Sequence, residues 1–324
     1  MIINTTINYG FTKLIKPCIH RVLPNKESKT SQLIERLRKE IDAARSQCSY
    51  STHKNRITAV NFFEQYIVDS KLSRITLKHL TPELIKALER WALDKGYKPG
   101  YVALHMRCLR SLINRINGRG HELFRQINTG NCQTEKRAVS EETIKQIREL
   151  KLPDNSNLAL ARDIFLFCFC GMGIPLIDAV MLKKSQLHDG HLIYNRCKTN
   201  RMVKIPVCPE LQQLLERLSP KDSPYLLPVI TDNRTDNMRQ YKRFYQRYMR
   251  SLSKLEKMIS TDCHLTSYTP RHSWASIAYK HGISINEIAQ ALGHSNANIT
   301  YHYVMELSSS QLAIANNKVL MAVQ

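Results

Sequence analysis

The 324-residue chain contains no run of eighteen apolar residues. Its first residues, MIINTTINYGFTKLIK, lack a basic stretch followed by an apolar block and a small-residue cleavage site. The first absence argues against a membrane-spanning helix and the second against a secretory signal, so a cytoplasmic protein is expected. No Walker-type phosphate loop and no convincing acidic metal cluster occur. The cysteines Cys18, Cys48, Cys108, Cys132, Cys168, Cys170, Cys197, Cys208 and Cys263 are odd in number and irregularly spaced. Cys168 and Cys170 have no second Cys or His cluster to complete a zinc set, so the thiols read as reduced and mostly buried, and neither metal nor cofactor is expected. Acidic side chains are also scarce: 27 Asp plus Glu face 48 Lys plus Arg, a formal excess of 21. A surplus of that size attracts a polyanion, with nucleic acid ahead of an anionic membrane surface or a ribosome. The 43% apolar and 23% charged residues are those of a folded chain, long enough for two domains.

A mainly α fold is expected. Leu33, Leu37 and Ile41 recur at helical spacing within residues 31–46, and Ile57, Val60, Phe62, Phe63 and Tyr66 within 51–69. Thr81-Pro82-Glu83 starts a helix that runs to Asp94, where Lys95-Gly96 ends it, and another runs from Pro99 through Ile116. Asn117-Gly118-Arg119-Gly120 then breaks the chain. The expected organisation is an extension over 1–30, a helical unit of about four helices over 31–120, a polar linker over 121–138 and a second unit over 139–324. Ser140 caps the first helix of that unit, and ARDIFLFCFCGMGIPLIDAVMLKKSQL reads as a buried helix, a break and a second helix. His191–Cys197 and Met202–Val207 have strand character and predict a β-hairpin inserted among helices. In the basic helix over 239–257, Tyr241, Phe244, Tyr245 and Tyr248 serve either as core or for stacking on bases. Lys242, Arg243, Arg247 and Arg250 are candidate phosphate contacts.

Three short segments carry the chemistry: Ser267-Tyr268-Thr269-Pro270-Arg271-His272, Leu292-Gly293-His294-Ser295 and Thr300-Tyr301-His302-Tyr303. Each alone has an ordinary explanation in a cap, a salt bridge or a packed aromatic. Their order and spacing resemble the tyrosine recombinases of the phage integrase superfamily. These carry an Arg in an H-x-x-R-H element, a Leu-Gly-His some twenty residues on, and a nucleophilic Tyr nine residues beyond that His. The resemblance covers roughly residues 30–310, and the ARDIFLFCF and RHSWA segments are most similar to recombinases of the Bacteroides group.

The resemblance implies a core-binding domain over 31–120, a catalytic domain over 139–324 that ends in an exchange helix, and a catalytic set of Lys198, Tyr268, Arg271, His294 and Tyr303. It implies cleavage and rejoining of double-stranded DNA at short inverted-repeat core sites through a 3′-phosphotyrosine. It also implies a monomer when free, a homotetramer on synapsed DNA, and a place for a DNA-bending accessory protein. The chemistry suits these residue types. Attack of a phenolate on phosphorus needs cationic donors on the non-bridging oxygens and an acid for the departing 5′ oxygen. Arg271 suits the first task and Lys198 the second. His294 either donates to a phosphoryl oxygen or assists proton movement at the tyrosine. Tyr301 competes as nucleophile, but its distance from His294 does not match the pattern.

Two positions depart from the pattern. Met172 stands where the family has its first arginine, followed in register by Gly173 and Asp178, and a thioether cannot neutralise a phosphate oxygen. Arg162, Arg196 and Arg201 are the candidate substitutes. Without one, the chain is a catalytically impaired DNA-binding protein with a recombinase fold. Tyr268 occupies the place usually held by His or Lys, where a phenol still donates one hydrogen bond. His272 is expected to buttress the site, and Asp178 either orients the pocket or opens a helix. The C-terminal segment over 306–323 packs either on its own domain or, as the resemblance implies, on a neighbouring protomer.

Overall fold

A computed structural model describes residues 31–72, 75–130, 137–231, 235–261, 263–294, 297–302 and 320–321. The chain divides into two compact units, Met1–Thr134 and Glu135–Gln324. The expected extension over 1–30 and most of the C-terminal segment lie outside the described residues.

The first unit is helical because apolar residues return every three to four positions in segments bounded by strong caps. Helix α1 (Gln32–Ala43) buries Leu33, Ile34, Leu37 and Ile41 on one face. Helix α2 (Tyr50–Asp69) starts where Ser49 accepts from the Thr52 amide at 3.2 Å. Helix α3 (Pro82–Asp94) starts where Thr81 accepts from the Leu84 amide at 3.2 Å, a cap worth about 1 kcal/mol. Helix α4 (Pro99–Asn117) stops at Gly118, which is left-handed at φ 73°.

The unit continues past the expected boundary at residue 120. A short helix α5 (Gly120–Leu123) follows, and Leu123, Phe124 and Ile127 enter the same core as Phe63, Leu88 and Met106. Asn117–Gly120 is therefore a turn between packed helices and does not end the domain. Arg107 holds the next residues by donating to the carbonyls of Thr129 at 2.7 Å and Gly130 at 2.8 Å. His105 is an odd member of this core. It is 2% exposed, stacks on Phe62 at 5.0 Å and meets Tyr101 edge-on at 4.1 Å, and neither ring nitrogen has a hydrogen-bond partner among the described residues. Burial pushes its pKa down to about 4.

In the second unit, Ser140 caps α6 (Glu141–Glu149) and Ser156 caps α7 (Asn157–Cys170). The apolar stretch divides as expected: α7 buries Ile164, Phe165 and Phe167, the chain turns over Gly171–Pro175, and α8 (Leu176–Met181) follows. The hairpin is present as β2 (His191–Asn195) and β3 (Met202–Pro206), antiparallel with His191 opposite Pro206 and Asn195 opposite Met202. A two-residue strand, β1 (Leu187–His188), pairs with β2 and makes a three-stranded meander of the expected hairpin. Alternation places Leu192, Tyr194, Val203 and Ile205 on the core face. Helix α9 (Pro209–Leu218) is followed by α10 (Asn237–Glu256), then α11 (Thr269–Lys280), α12 (Ile285–Ala291) and a 3₁₀ segment at Ala297–His302.

The aromatic stripe of α10 divides. Phe244 and Tyr248 are buried with Leu252 and Leu255, whereas Tyr245 is 37% exposed. Lys242, Arg243, Arg247 and Arg250 lie on the exposed face of the same helix. No helix among the described residues is long and apolar enough to cross a membrane.

Candidate active site

The site forms where the turn after α7, the start of α11, the end of α12 and the β2–β3 hairpin meet. Two glycines permit the approach. Gly173 has φ +69°, and a Cβ there would sit 2.9 Å from the Arg271 Cα. Gly293 has φ +64°, and a Cβ there would sit 2.7 Å from Val203 and 2.9 Å from the Arg196 side chain. Substituting either residue strains the backbone and also pushes the elements apart.

Arg271 is 2% exposed, in the first turn of α11. Its Nη1 donates to the Gly173 carbonyl at 2.8 Å, and its Nη2 donates to the Leu292 carbonyl at 2.7 Å and lies 2.9 Å from His294 Nε2. His294, 8% exposed, is held from the other side as well, with Nδ1 2.9 Å from Oγ1 of the fully buried Thr300. Burial, then the charges of Arg271, Arg196 and Lys198, push the His294 pKa down to about 3, so the ring is neutral at physiological pH.

Arg196 reaches the same place from the hairpin. Its Nη1 donates to the carbonyls of Leu292 and Gly293, each at 3.2 Å, and its Nε faces Asp178 at 3.5 Å. The other Asp178 oxygen accepts from the Cys197 amide at 2.9 Å. Asp178, 3% exposed in α8, thus fixes the base of the hairpin in addition to its place in the first turn of its helix. Arg201 donates to the His294 carbonyl, and the turn is closed by Arg196 N to Arg201 O and Asn200 N to Arg196 O, both 2.8 Å. Lys198 is exposed in this turn, with its charge felt at His294. The adjacent Cys197, although an exposed residue, has its thiol pKa shifted up by partial desolvation and by the Asp178 carboxylate beside it, which disfavours the nucleophilic thiolate.

Met172 has φ 53°, a left-handed conformation that costs a bulky residue roughly 1–2 kcal/mol. Its half-buried side chain packs on the core of this unit. Of the three candidate arginines, Arg196 and Arg201 converge on the 292–294 segment. Arg162 does not: it lies upstream on α7, where Nε pairs with Asp163 at 2.8 Å and Nη1 donates to the Leu150 carbonyl at 2.6 Å.

Tyr268, 49% exposed, precedes α11, with its ring 6.4 Å from that of His272. Burial, then Arg137 and Arg271, lower the His272 pKa to about 4. Tyr303 lies outside the described residues, whereas Tyr301 is 58% exposed. Sequence reasoning did not single out Thr300 as the partner of His294. The residue stands in a quoted segment, but one buried threonine leaves no periodic signal.

The phage integrase family model matches residues 140–309, just over half of the chain. No curated protein matches by sequence. Among solved structures, a lambda integrase dimer bound to a COC′ core site is similar at 17% identity and a TM-score of 0.60, over 83% of this chain and 76% of that one. A lambda integrase tetramer bound to a Holliday junction is similar at 16% and 0.58, over 84% and 76%. The Tn1549 transposon integrase in complex with transposon right end DNA is similar at 14% and 0.61, over 89% and 99%. At these identities the likeness establishes a shared fold.

Proposed function

The chain belongs to the phage integrase family and is by that membership a recombinase, and we propose that it cleaves and rejoins DNA at specific sites through Tyr303. The observation that carries this reading is the pocket around Leu292–His294. There a buried Arg271, a neutral His294 and the hairpin cation Arg196 converge within hydrogen-bonding distance of one another or of a shared carbonyl.

In the proposed reaction the Tyr303 phenolate bonds to phosphorus at the scissile phosphate, and the bond to the 5′ oxygen breaks. Lys198 gives that oxygen its proton. Arg271 donates to the non-bridging oxygens, and Tyr268 adds a phenolic donor. Because the phosphoester energy is held in the 3′-phosphotyrosine, a free 5′ hydroxyl can attack it and restore the backbone. We assign the role of the missing first arginine to Arg196. The β2–β3 hairpin and Asp178 hold it beside Arg271, and Arg162 is committed elsewhere.

Lys242, Arg243, Arg247 and Arg250 on the open face of α10 are proposed backbone contacts, which would set register and not sequence preference. The substrate is duplex DNA with short inverted-repeat core sites. By analogy with the lambda integrase tetramer on a Holliday junction, the working assembly is a homotetramer on two duplexes. A DNA-bending protein is a natural accessory.

The test is a nicked suicide half-site, on which the wild type should accumulate a covalent adduct that Tyr303→Phe does not form. The strained Met172 in the arginine position favours a second reading, a DNA-binding protein that has lost cleavage. That reading gains if the wild type binds its site with steep salt dependence, forms no adduct, and acquires one on Met172→Arg.

A further inference from the structure

Helix α11 carries Arg271 and packs so closely on the turn after α7 that a Cβ on Gly173 would meet the Arg271 Cα at 2.9 Å. A small slide of the helix therefore moves the guanidinium relative to the carbonyls of Gly173 and Leu292 that receive it. Tyr268, the residue before the helix, gives no side-chain cap. One fixed point is Ser273, two residues past Arg271 and 0% exposed. Its Oγ donates to the Thr269 carbonyl one turn back at 2.8 Å and accepts from the Val139 amide at 2.9 Å. A hydroxyl has one proton and two lone pairs, so the bond to Thr269 sets the rotamer and leaves a lone pair for Val139. Val139 stands near the start of the second unit, 134 positions earlier in the chain. Contacts on either side extend this seam. Arg137 is close enough for its charge to act on His272, and Glu141 accepts from Lys280 at 2.8 Å and lies 3.3 Å from His281 Nε2. Residues 137–141 thus follow α11 from its first turn to its end.

We propose that Ser273 is a positioning residue for cleavage: its hydroxyl ties the opening segment of the unit to α11 and so holds Arg271 in place against Gly173 and Leu292. The pairs made by Glu141 are exposed and contribute little in water, whereas the bond of Ser273 to Val139 is buried. Without the hydroxyl, the amide of Val139, a residue 5% exposed, loses its acceptor, and the segment or the helix must shift to satisfy it again. This inference rests on the reading of Arg271 as the phosphate ligand only for its effect on cleavage, and the placement of Arg271 can be tested without DNA.

The test is ¹H–¹⁵N correlation at arginine Nε on the full chain labelled at arginine, with single-turnover adduct formation measured alongside. The Arg271 signal is assigned by its loss in Arg271→Lys. Ser273→Ala should shift that signal, while the signal of Arg107, whose Nε donates to the Thr129 carbonyl in the first unit, stays in place. Adduct formation at saturating protein should fall on the order of 10–100-fold in Ser273→Ala, the scale of a misplacement of about 1 Å. The half-saturating concentration should change by less than about threefold, because the variant loses aim and not binding. Ser273→Thr, which keeps the hydroxyl, should recover the signal and most of the rate. Should the alanine chain not fold, Ser273→Cys, close in volume and a weaker hydrogen-bonding partner, carries the same expectation. An unmoved Arg271 signal, a loss confined to half-saturation, or equal losses in Ser273→Ala and Ser273→Thr overturns the proposal. A moved Arg271 signal with no adduct from the wild type would support the positioning role and count against recombination.

Discussion

Each unit of the molecule buries a histidine, and the two are buried for different ends. His105 in α4 and His294 after α12 are 2% and 8% exposed, and burial lowers both pKa values, to about 4 and about 3. His105 sits among Phe62 and Tyr101 with neither nitrogen partnered among the described residues, as a space-filling ring in an aromatic core. His294 has a partner at each nitrogen and three cations in its field. A depressed pKa thus marks burial in both units, and only the convergence of donors and acceptors marks a site.

Removing Arg271, the cation beside His294, should nearly abolish function, whereas changing His105 should not. Arg271→Ala is expected to lower the rate of adduct formation by at least about a thousandfold, the scale of losing one oxyanion donor. His105→Phe should leave that rate within about threefold, close to the resolution of such comparisons. Equal losses in a single-turnover assay would erase the distinction between the two histidines.

The next effect sharpens the choice of cation. Arg196→Ala should cost on the order of 10²–10³ in single-turnover cleavage. Arg162→Ala should cost little beyond the stability of its ion pair with Asp163. A larger loss in Arg162→Ala, measured under conditions where the variant is folded, would refute the assignment to Arg196.

The third concerns pH. An unfolded imidazole titrates near 6.5 and the folded His105 near 4, so between those values the unfolded chain binds a proton that the folded unit refuses. Stability of the first unit should therefore be complete above about pH 6.5 and fall as the pH drops toward 4, by roughly 2–3 kcal/mol from this group. Urea midpoints measured across that range should show the fall, and His105→Phe should flatten its part of it. An unchanged profile in His105→Phe would mean that the ring is not buried neutral.

The smallest effect lies on α10. Neutralising Arg247 should weaken binding to all DNA sequences alike and lower the salt slope by about one contact, as read from affinity against ionic strength. A change in sequence preference would instead place that side chain at base edges.

Much of this architecture was legible in the sequence because its signals are local. Ser140 and Thr81 announce their helices through hydroxyls that cap three residues on, and alternation in Leu192, Tyr194, Val203 and Ile205 announces the hairpin. The strand β1 has two residues and no periodicity to read. The first boundary was legible only as a break at Asn117–Gly120, because the packing of Leu123, Phe124 and Ile127 against earlier helices is a tertiary fact.

The site divides in the same way. Spacing singled out Arg271 and His294, which the fold brings to 2.9 Å. The selection of Arg196 over Arg162 depends on a hairpin folding over residues 292–293, roughly a hundred positions away in the chain, and no local pattern encodes it.

The central claim is that this pocket serves attack by Tyr303, and the most direct measurement is mass spectrometry of the adduct trapped on a suicide half-site. The account predicts one modified peptide, with the nucleotide on Tyr303 through its 3′ phosphate. Attachment at Tyr301 or elsewhere, or no adduct on a site that the protein binds specifically, would contradict it.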